Sequence, residues 1–261
     1  MLLANKNAVV YGAAGSIGSA VARAFAREGA RLFLAGRTLE KLETVAREIV
    51  AAGGDAQPTQ VEVLDEPAVD AHVRAIVEQA GRIDILFNAV GMEDVQGIAL
   101  VDMSVGDFMQ PIVKALKSEF ITARAVGRRM VANGSGVIMT ITAGPPEAIA
   151  YIGGFGAACQ AVEGLWRGLA AELGPRGVRV VCIRSAGSPD TPDVQETFRL
   201  HAKAMGVPLD ECLESFSSGT LLKRLPRVAE IANVAALIAS DQASAITGAF
   251  ISATCGSRTE L

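Results

Sequence analysis

The sequence predicts an α/β fold: a doubly wound parallel sheet of about seven strands with helices on both faces. Short runs rich in Val, Ile and Leu alternate with longer amphipathic stretches along most of the chain. Such runs are how strands read when helices cover both faces of a parallel sheet. Half of the residues are hydrophobic but only 5% are aromatic, and abundant Ala and Gly suit close packing of helix on sheet. Gly29, Gly53, Gly54, Gly81 and Gly174 each follow a helical pattern, where a left-handed cap favours glycine.

The elements follow in order. Strands are expected at Ala8–Tyr11, Arg31–Ala35, Gln57–Val63, Ile83–Asn88, Gly136–Thr142, Val178–Ile183 and Ala249–Ala253. The helical patterns between them cover Ile17–Arg27, Leu39–Ala52, Pro67–Ala80, Val105–Val131, Gly154–Leu173 and Arg227–Ser240. Right-handed crossovers then favour the doubly wound arrangement. Residues 188–222 break the rhythm with short helices over Val194–Met205 and Leu209–Ser217. An excursion of that size beyond the carboxyl end of a strand is expected to be a helical substrate lid. With 261 residues, no repeat and no low-complexity linker, the chain fits one domain, 1–261.

Composition narrows the function classes. A net charge of -4 leaves no electrostatic footprint for nucleic acid. No apolar run approaches the ~20 residues of a membrane span. Residues 1–10 lead straight into a strand, leaving no room for a signal peptide. Cys159, Cys182, Cys212 and Cys255 are widely spread, against a disulfide framework or a metal site, so a reduced, cytoplasmic protein is expected.

The first strand runs into Tyr11-Gly12-Ala13-Ala14-Gly15-Ser16-Ile17-Gly18, which opens a helix. Gly12 permits the tight turn, and small residues at Gly15 and Ser16 let backbone N–H groups approach a pyrophosphate. Gly18 allows close packing of helix on strand, and the helix dipole favours the anion. In its strand–turn–helix context this is the dinucleotide loop of a Rossmann fold; the bland alternative is a plain glycine turn. The second strand ends Ala35-Gly36-Arg37-Thr38, without the acidic residue that would bind the ribose diol of NAD. Arg37 suits a 2′-phosphate, which favours NADP(H) and leaves NAD(H) possible; otherwise Arg37 faces solvent beside an N-cap at Thr38.

Three segments together resemble the short-chain dehydrogenases/reductases: the glycine loop, Asp84-Ile85-Leu86-Phe87-Asn88-Ala89-Val90-Gly91, and Ser240-Asp241-Gln242-Ala243-Ser244-Ala245-Ile246-Thr247-Gly248. They are similar to that family's TGxxxGxG, DxLVNNAG and LASDxASYITG segments, and Leu173–Val180 is similar to its LAPRGIRV stretch. Tyr11 stands where Thr is usual, Gly15-Ser16 inverts the usual order, and Ala89 replaces the second Asn. The resemblance implies that Glu62 and Val63 face the adenine and that Asn88 and Gly91 line the middle of the cofactor. It also implies a homodimer or homotetramer built on the helices Val105–Val131 and Gly154–Leu173, and a small-molecule substrate.

The family's Asn-Ser-Tyr-Lys catalytic positions are substituted. Matching Ala161-Val162-Glu163-Gly164-Leu165 to the family's AVEGL puts Phe155 at the Tyr and Cys159 at the Lys. Matching Phe120–Ala125 to FLxTRA puts Ala115 at the Asn. Matching Thr140-Ile141-Thr142-Ala143 to NISS puts Ala143 at the Ser, while a shift by one residue puts Thr142 there and keeps a hydroxyl. The family's acid/base chemistry cannot run on these residues as it stands.

Tyr151 is the remaining phenol, in the loop that lines the substrate pocket in this family. It is either a substitute proton donor or a packing ring. Lys114 and Lys117 flank the Asn position and are expected to be solvated or at a subunit interface. His201, with Lys203, is expected on the surface of a mobile helix, and Cys159 is expected to be buried and inert. Arg184, Asp190 and Asp193 either bind a polar substrate or form salt bridges. Three readings follow: a reductase of non-standard mechanism, a non-redox enzyme performing elimination, isomerisation or cyclisation, and a catalytically silent dinucleotide-binding subunit.

Overall fold

The computed structural model describes residues 1–143 and 149–257. Seven strands form one parallel sheet: β1 (Asn7–Tyr11), β2 (Arg31–Gly36), β3 (Asp55–Gln60), β4 (Ile85–Asn88), β5 (Gly136–Ala143), β6 (Val178–Ser185) and β7 (Ala249–Ala253). Their order is β3-β2-β1-β4-β5-β6-β7. The helices are α1 (Ser16–Arg27), α2 (Leu39–Ala51), α3 (Glu66–Ala80), α4 (Val105–Asn133), α5 (Phe155–Leu173), α6 (Pro192–Met205), α7 (Leu209–Ser218) and α8 (Val228–Ala239).

Strand alternation divides the core in two, because successive side chains point to opposite faces. Ala8 and Val10 pack with Phe25, Leu32, Leu34 and Phe87 under α1, α2 and α8. Val9 and Tyr11 pack with Phe33, Leu86 and Trp166 under α3, α4 and α5. A satellite cluster of Phe198, Ala202, Cys212 and Leu225 holds α6 and α7 together. The caps follow sequence chemistry. Asp65 accepts from the Ala68 N–H at the start of α3, and Ser104 accepts from the Asp107 N–H at the start of α4.

Some boundaries move. β3 spans Asp55–Gln60 rather than Gln57–Val63, because its register on β2 runs from Arg31↔Asp55 to Gly36↔Gln60 and β2 ends there. Pro58 is tolerated because β3 is an edge strand. Pairing at β4 begins at Ile85 rather than Ile83. The helix after β5 does not end in a left-handed Gly174: that residue has φ -55°, and the turn is made three residues later at Gly177, φ +79°.

Strand order reverses between β1 and β4, so the crevice outside their carboxyl ends lies at a topological switch point. The glycine loop and Asn88 stand on either side of it, and α6 and α7 lie beyond the end of β6.

Candidate active site

A cavity of about 700 Å³ opens at the carboxyl ends of β1, β4, β5 and β6. One wall is Gly15, Ser16 and Ile17 at the start of α1. Gly12 has φ +76°, and a Cβ there would collide with the Ala89 carbonyl; one on Gly18 would collide with the Gly12 carbonyl. The loop and the end of β4 are thus in backbone contact, which only glycine permits. The α1 ladder starts with the Ser19 N–H donating to the Gly15 carbonyl, so the earlier amides lie outside it, as an anion site requires.

Asn88 is held rather than free. Its Nδ2 donates to Thr122 Oγ1 at 2.9 Å, and its Oδ1 accepts from the Val90 N–H at 3.0 Å, which shapes the turn into Gly91. Gly91 lines the cavity, with open space where a Cβ would stand. Glycine loop, open Gly91 and free helix amides fit a dinucleotide. Glu62 and Val63 lie outside the cavity wall: Glu62 is exposed and accepts from the Leu64 N–H, and Val63 is buried.

Arg37 is exposed but has a partner. It pairs with Glu93 at 2.7 Å, and the same carboxylate oxygen accepts from Lys114 at 2.5 Å. Those two cations hold Glu93 below the usual carboxylate range, Lys114 foremost. Lys114 is not solvated: its side chain is largely buried in this pair. Lys117 is exposed, as expected.

The residues that motif matching set at the family's catalytic positions lie around the cavity. Ala143 and Phe155 line the cavity, while Ala115 and Cys159 are buried behind it. Burial pushes the Cys159 thiol up to about 12, which makes it an inert sulfur rather than a nucleophile. Thr142 also lines the cavity, but its hydroxyl turns inward, 3.3 Å from Glu163 Oε1 and 3.3 Å from Cys182 Sγ. Arg184 grips both oxygens of Glu163 at 2.7 Å, so it serves the fully buried carboxylate. Tyr151 has φ +64°, rare for a residue with a Cβ, and its carbonyl accepts from the Gly97 N–H. Its neighbours Ala150 and Ile152 line the cavity; Tyr151 is not among the lining residues.

His201 and Asp193 sit differently from a surface helix or a simple salt bridge, and Glu119 was not singled out from the sequence. His201 is not on the surface: it is 5% exposed and lines the cavity, because the apolar face of α6 packs over the crevice. Its Nε2 lies 2.5 Å from Gln96 Oε1, and Gln96 in turn donates to Asp94 at 2.5 Å. Burial lowers the pKa of His201, favouring the neutral ring. Asp193 lines the cavity and accepts from the Ser16 hydroxyl at 3.0 Å, whereas Asp190 accepts from the Val228 N–H outside it. Glu119, one helical turn after Ala115, also lines the cavity and is 5% exposed. A signal for it was present: Pro111, Ala115 and Glu119 recur every four residues, so a carboxyl falls on the buried stripe of α4.

Residues 12–258 match the family model described as Enoyl-(Acyl carrier protein) reductase. The uncharacterised oxidoreductase YxbG of Bacillus subtilis (strain 168) is 33% identical over 254 residues, 97% of this chain and 91% of that protein. D-threitol dehydrogenase of Mycolicibacterium smegmatis is 33% identical over 252 residues, 95% of this chain and 90% of its own length. Among solved structures, NAD+-bound xylitol dehydrogenase superposes with a TM-score of 0.92 at 24% identity, covering 98% of this chain and 100% of that one. Levodione reductase superposes with a TM-score of 0.90 at 27% identity, covering 99% and 100%. Together with the parallel sheet and the glycine loop at its switch point, these matches establish that the chain belongs to the short-chain dehydrogenase/reductase family.

Proposed function

We propose that this protein is an NADP(H)-linked oxidoreductase that interconverts the carbonyl and alcohol of a small, neutral molecule by a mechanism different from the family's Tyr–Lys chemistry. The observation that carries the reading is continuity. The glycine loop, the Asn88–Met92 turn and the Thr142–Ala143–Phe155 wall bound one cavity, so a dinucleotide and a second small molecule would meet in it. Gly15, Ser16, Ile17 and Gly91 would hold the dinucleotide, and Arg37 would take its 2′-phosphate. When bound, the nicotinamide supplies or accepts the hydride.

The substrate half argues for a neutral ligand. No Lys or Arg is among the described residues that line the cavity, and Met92, Ile149, Ile152, Phe155, Phe198 and Phe216 make its apolar surface. The segment carrying α6 and α7 acts as the substrate lid, with His201 and Gln96 presenting a neutral polar edge. Four free cysteines suit a reducing, cytoplasmic setting, and the assembly is a homodimer or homotetramer.

A second reading has its own observation. Phe155 on the cavity wall and the inert Cys159 offer no strong acid and no ammonium, and motif matching aligns them with the family's Tyr and Lys, which favours a non-redox enzyme or a silent binding subunit. Titration with NADPH and NADH, followed by spectroscopic assay on a panel of neutral ketones, aldehydes and alcohols, separates the two. Dinucleotide binding with hydride transfer supports the oxidoreductase. Binding without transfer on any substrate supports the second reading.

A further inference from the structure

We propose that Glu119 is the catalytic proton donor of this cavity, a neutral carboxyl that replaces the missing phenol and protonates the substrate oxygen. The proposal rests on the oxidoreductase reading above. Its geometry is unusual for a glutamate. The side chain is enclosed between α4 and the ends of β4 and β5, yet the residue forms part of the cavity wall with Asn88, Ile141 and Thr142. Its Oε1 accepts from the Thr140 hydroxyl at 2.6 Å, which fixes the carboxyl on the sheet. Its Oε2 is shielded from water and has no hydrogen-bond partner among the described residues. A buried carboxylate with one bare oxygen is costly, whereas a carboxylic acid carries its proton on that oxygen and needs only an acceptor.

Among the described residues no cation pairs with this carboxyl. The nearby titratable groups are Cys182 on β6, itself pushed up to about 12, and Glu163 on α5 beyond it. Arg184 and Arg167 are both committed to Glu163. Burial accordingly raises Glu119 from the usual 4.5 to about 8, with the Thr140 hydrogen bond opposing the shift, so the acid form persists at neutral pH. Glu163 differs in having a cation on both of its oxygens, whereas Glu119 has only the Thr140 hydroxyl on one.

In the reductive direction the substrate carbon gains a hydride from the reduced nicotinamide as its π bond to oxygen breaks. The oxygen takes the Glu119 proton, and the resulting carboxylate is reprotonated from solvent that enters the cavity once the product has left. In oxidation the same carboxylate accepts the alcohol proton. A neutral, hydrogen-bonding carbonyl or hydroxyl is the chemistry this wall recognises, and an anionic substrate would be repelled once Glu119 ionises.

The test reads the proton and its use separately. Infrared titration of the protein without ligand should show a protonated-carboxyl band at neutral pH that Glu119→Gln removes; no such band overturns the proposal. With NADPH and the carbonyl panel, Glu119→Gln should slow single-turnover hydride transfer at least ~100-fold without changing the NADPH dissociation constant. An unchanged rate, or a loss confined to Tyr151→Phe, overturns Glu119 while leaving the oxidoreductase reading intact. No transfer by the unsubstituted protein, with dinucleotide bound, overturns both. Should Glu119→Gln fail to fold, the pH profile decides: the reduction rate should fall as pH rises through about 8, and a flat profile overturns the assignment.

Discussion

The Ser16 hydroxyl, at the first residue of α1, donates to the Asp193 carboxylate in the first turn of α6 at 3.0 Å. This bond ties the glycine loop to the segment that covers it, and it sets a negative charge where a pyrophosphate would approach the helix N-terminus. Asp193→Asn should therefore tighten NADPH and NADH alike, by about fivefold or ~1 kcal/mol. Fluorescence titration checks this; weaker binding of both would mean that Asp193 seats the cofactor rather than opposing it.

Glu93 competes with a 2′-phosphate for Arg37. The pair is largely exposed and worth at most about 1 kcal/mol, so a phosphate can displace it. NADPH should bind about tenfold more tightly than NADH, ~1.4 kcal/mol, and Arg37→Ala should erase the gap. Glu93→Gln should widen it by freeing the guanidinium. Equal dissociation constants in the unsubstituted protein would defeat the assignment.

Arg184→Leu should destabilise the fold by about 3 kcal/mol, because it strips a fully buried Glu163 of its bidentate partner. Arg167 at 3.7 Å is a weak replacement. Adding Glu163→Gln to Arg184→Leu should restore most of the loss in urea denaturation; no recovery would show that Arg184 acts mainly by packing.

The raised Glu119 has a stability consequence independent of catalysis. Between 4.5 and about 8 the folded chain keeps a proton that the unfolded chain releases. Its stabilising contribution is therefore fully present below pH 4.5 and declines as pH rises to about 8, by up to ~1.4 kcal/mol per pH unit. Glu119→Gln should remove that slope, which paired thermal melts across the window would reveal. Parallel pH profiles for the two proteins would mean that Glu119 ionises normally.

Val105, Met109, Val113 and Phe120 leave an exposed apolar surface along α4. Light scattering should give a dimer or tetramer mass at micromolar concentration. Val113→Glu with Phe120→Lys should shift it towards the monomer. A monomer before substitution would remove the assembly from the proposal.

How much was legible in the chain depends on how local each feature is. Hydrophobic alternation and glycine spacing determined the sheet, the crevice and the dinucleotide loop, because backbone periodicity and positive φ are written in neighbouring residues. The end of β3 was misplaced because register is settled by where the partner strand stops, not by the strand's own residues. Motif matching singled out Ala115, Ala143, Phe155 and Cys159, but only the structure puts Ala143 and Phe155 on the cavity wall and buries Ala115 and Cys159. The sequence could not show that the neutral His201 and the buried Glu119 share the wall of one cavity, or that Arg184 belongs to Glu163 and Lys114 to Glu93. Those facts join residues far apart in the chain. Charge and protonation there depend on which side chains shield one another from water, and tertiary packing alone decides that.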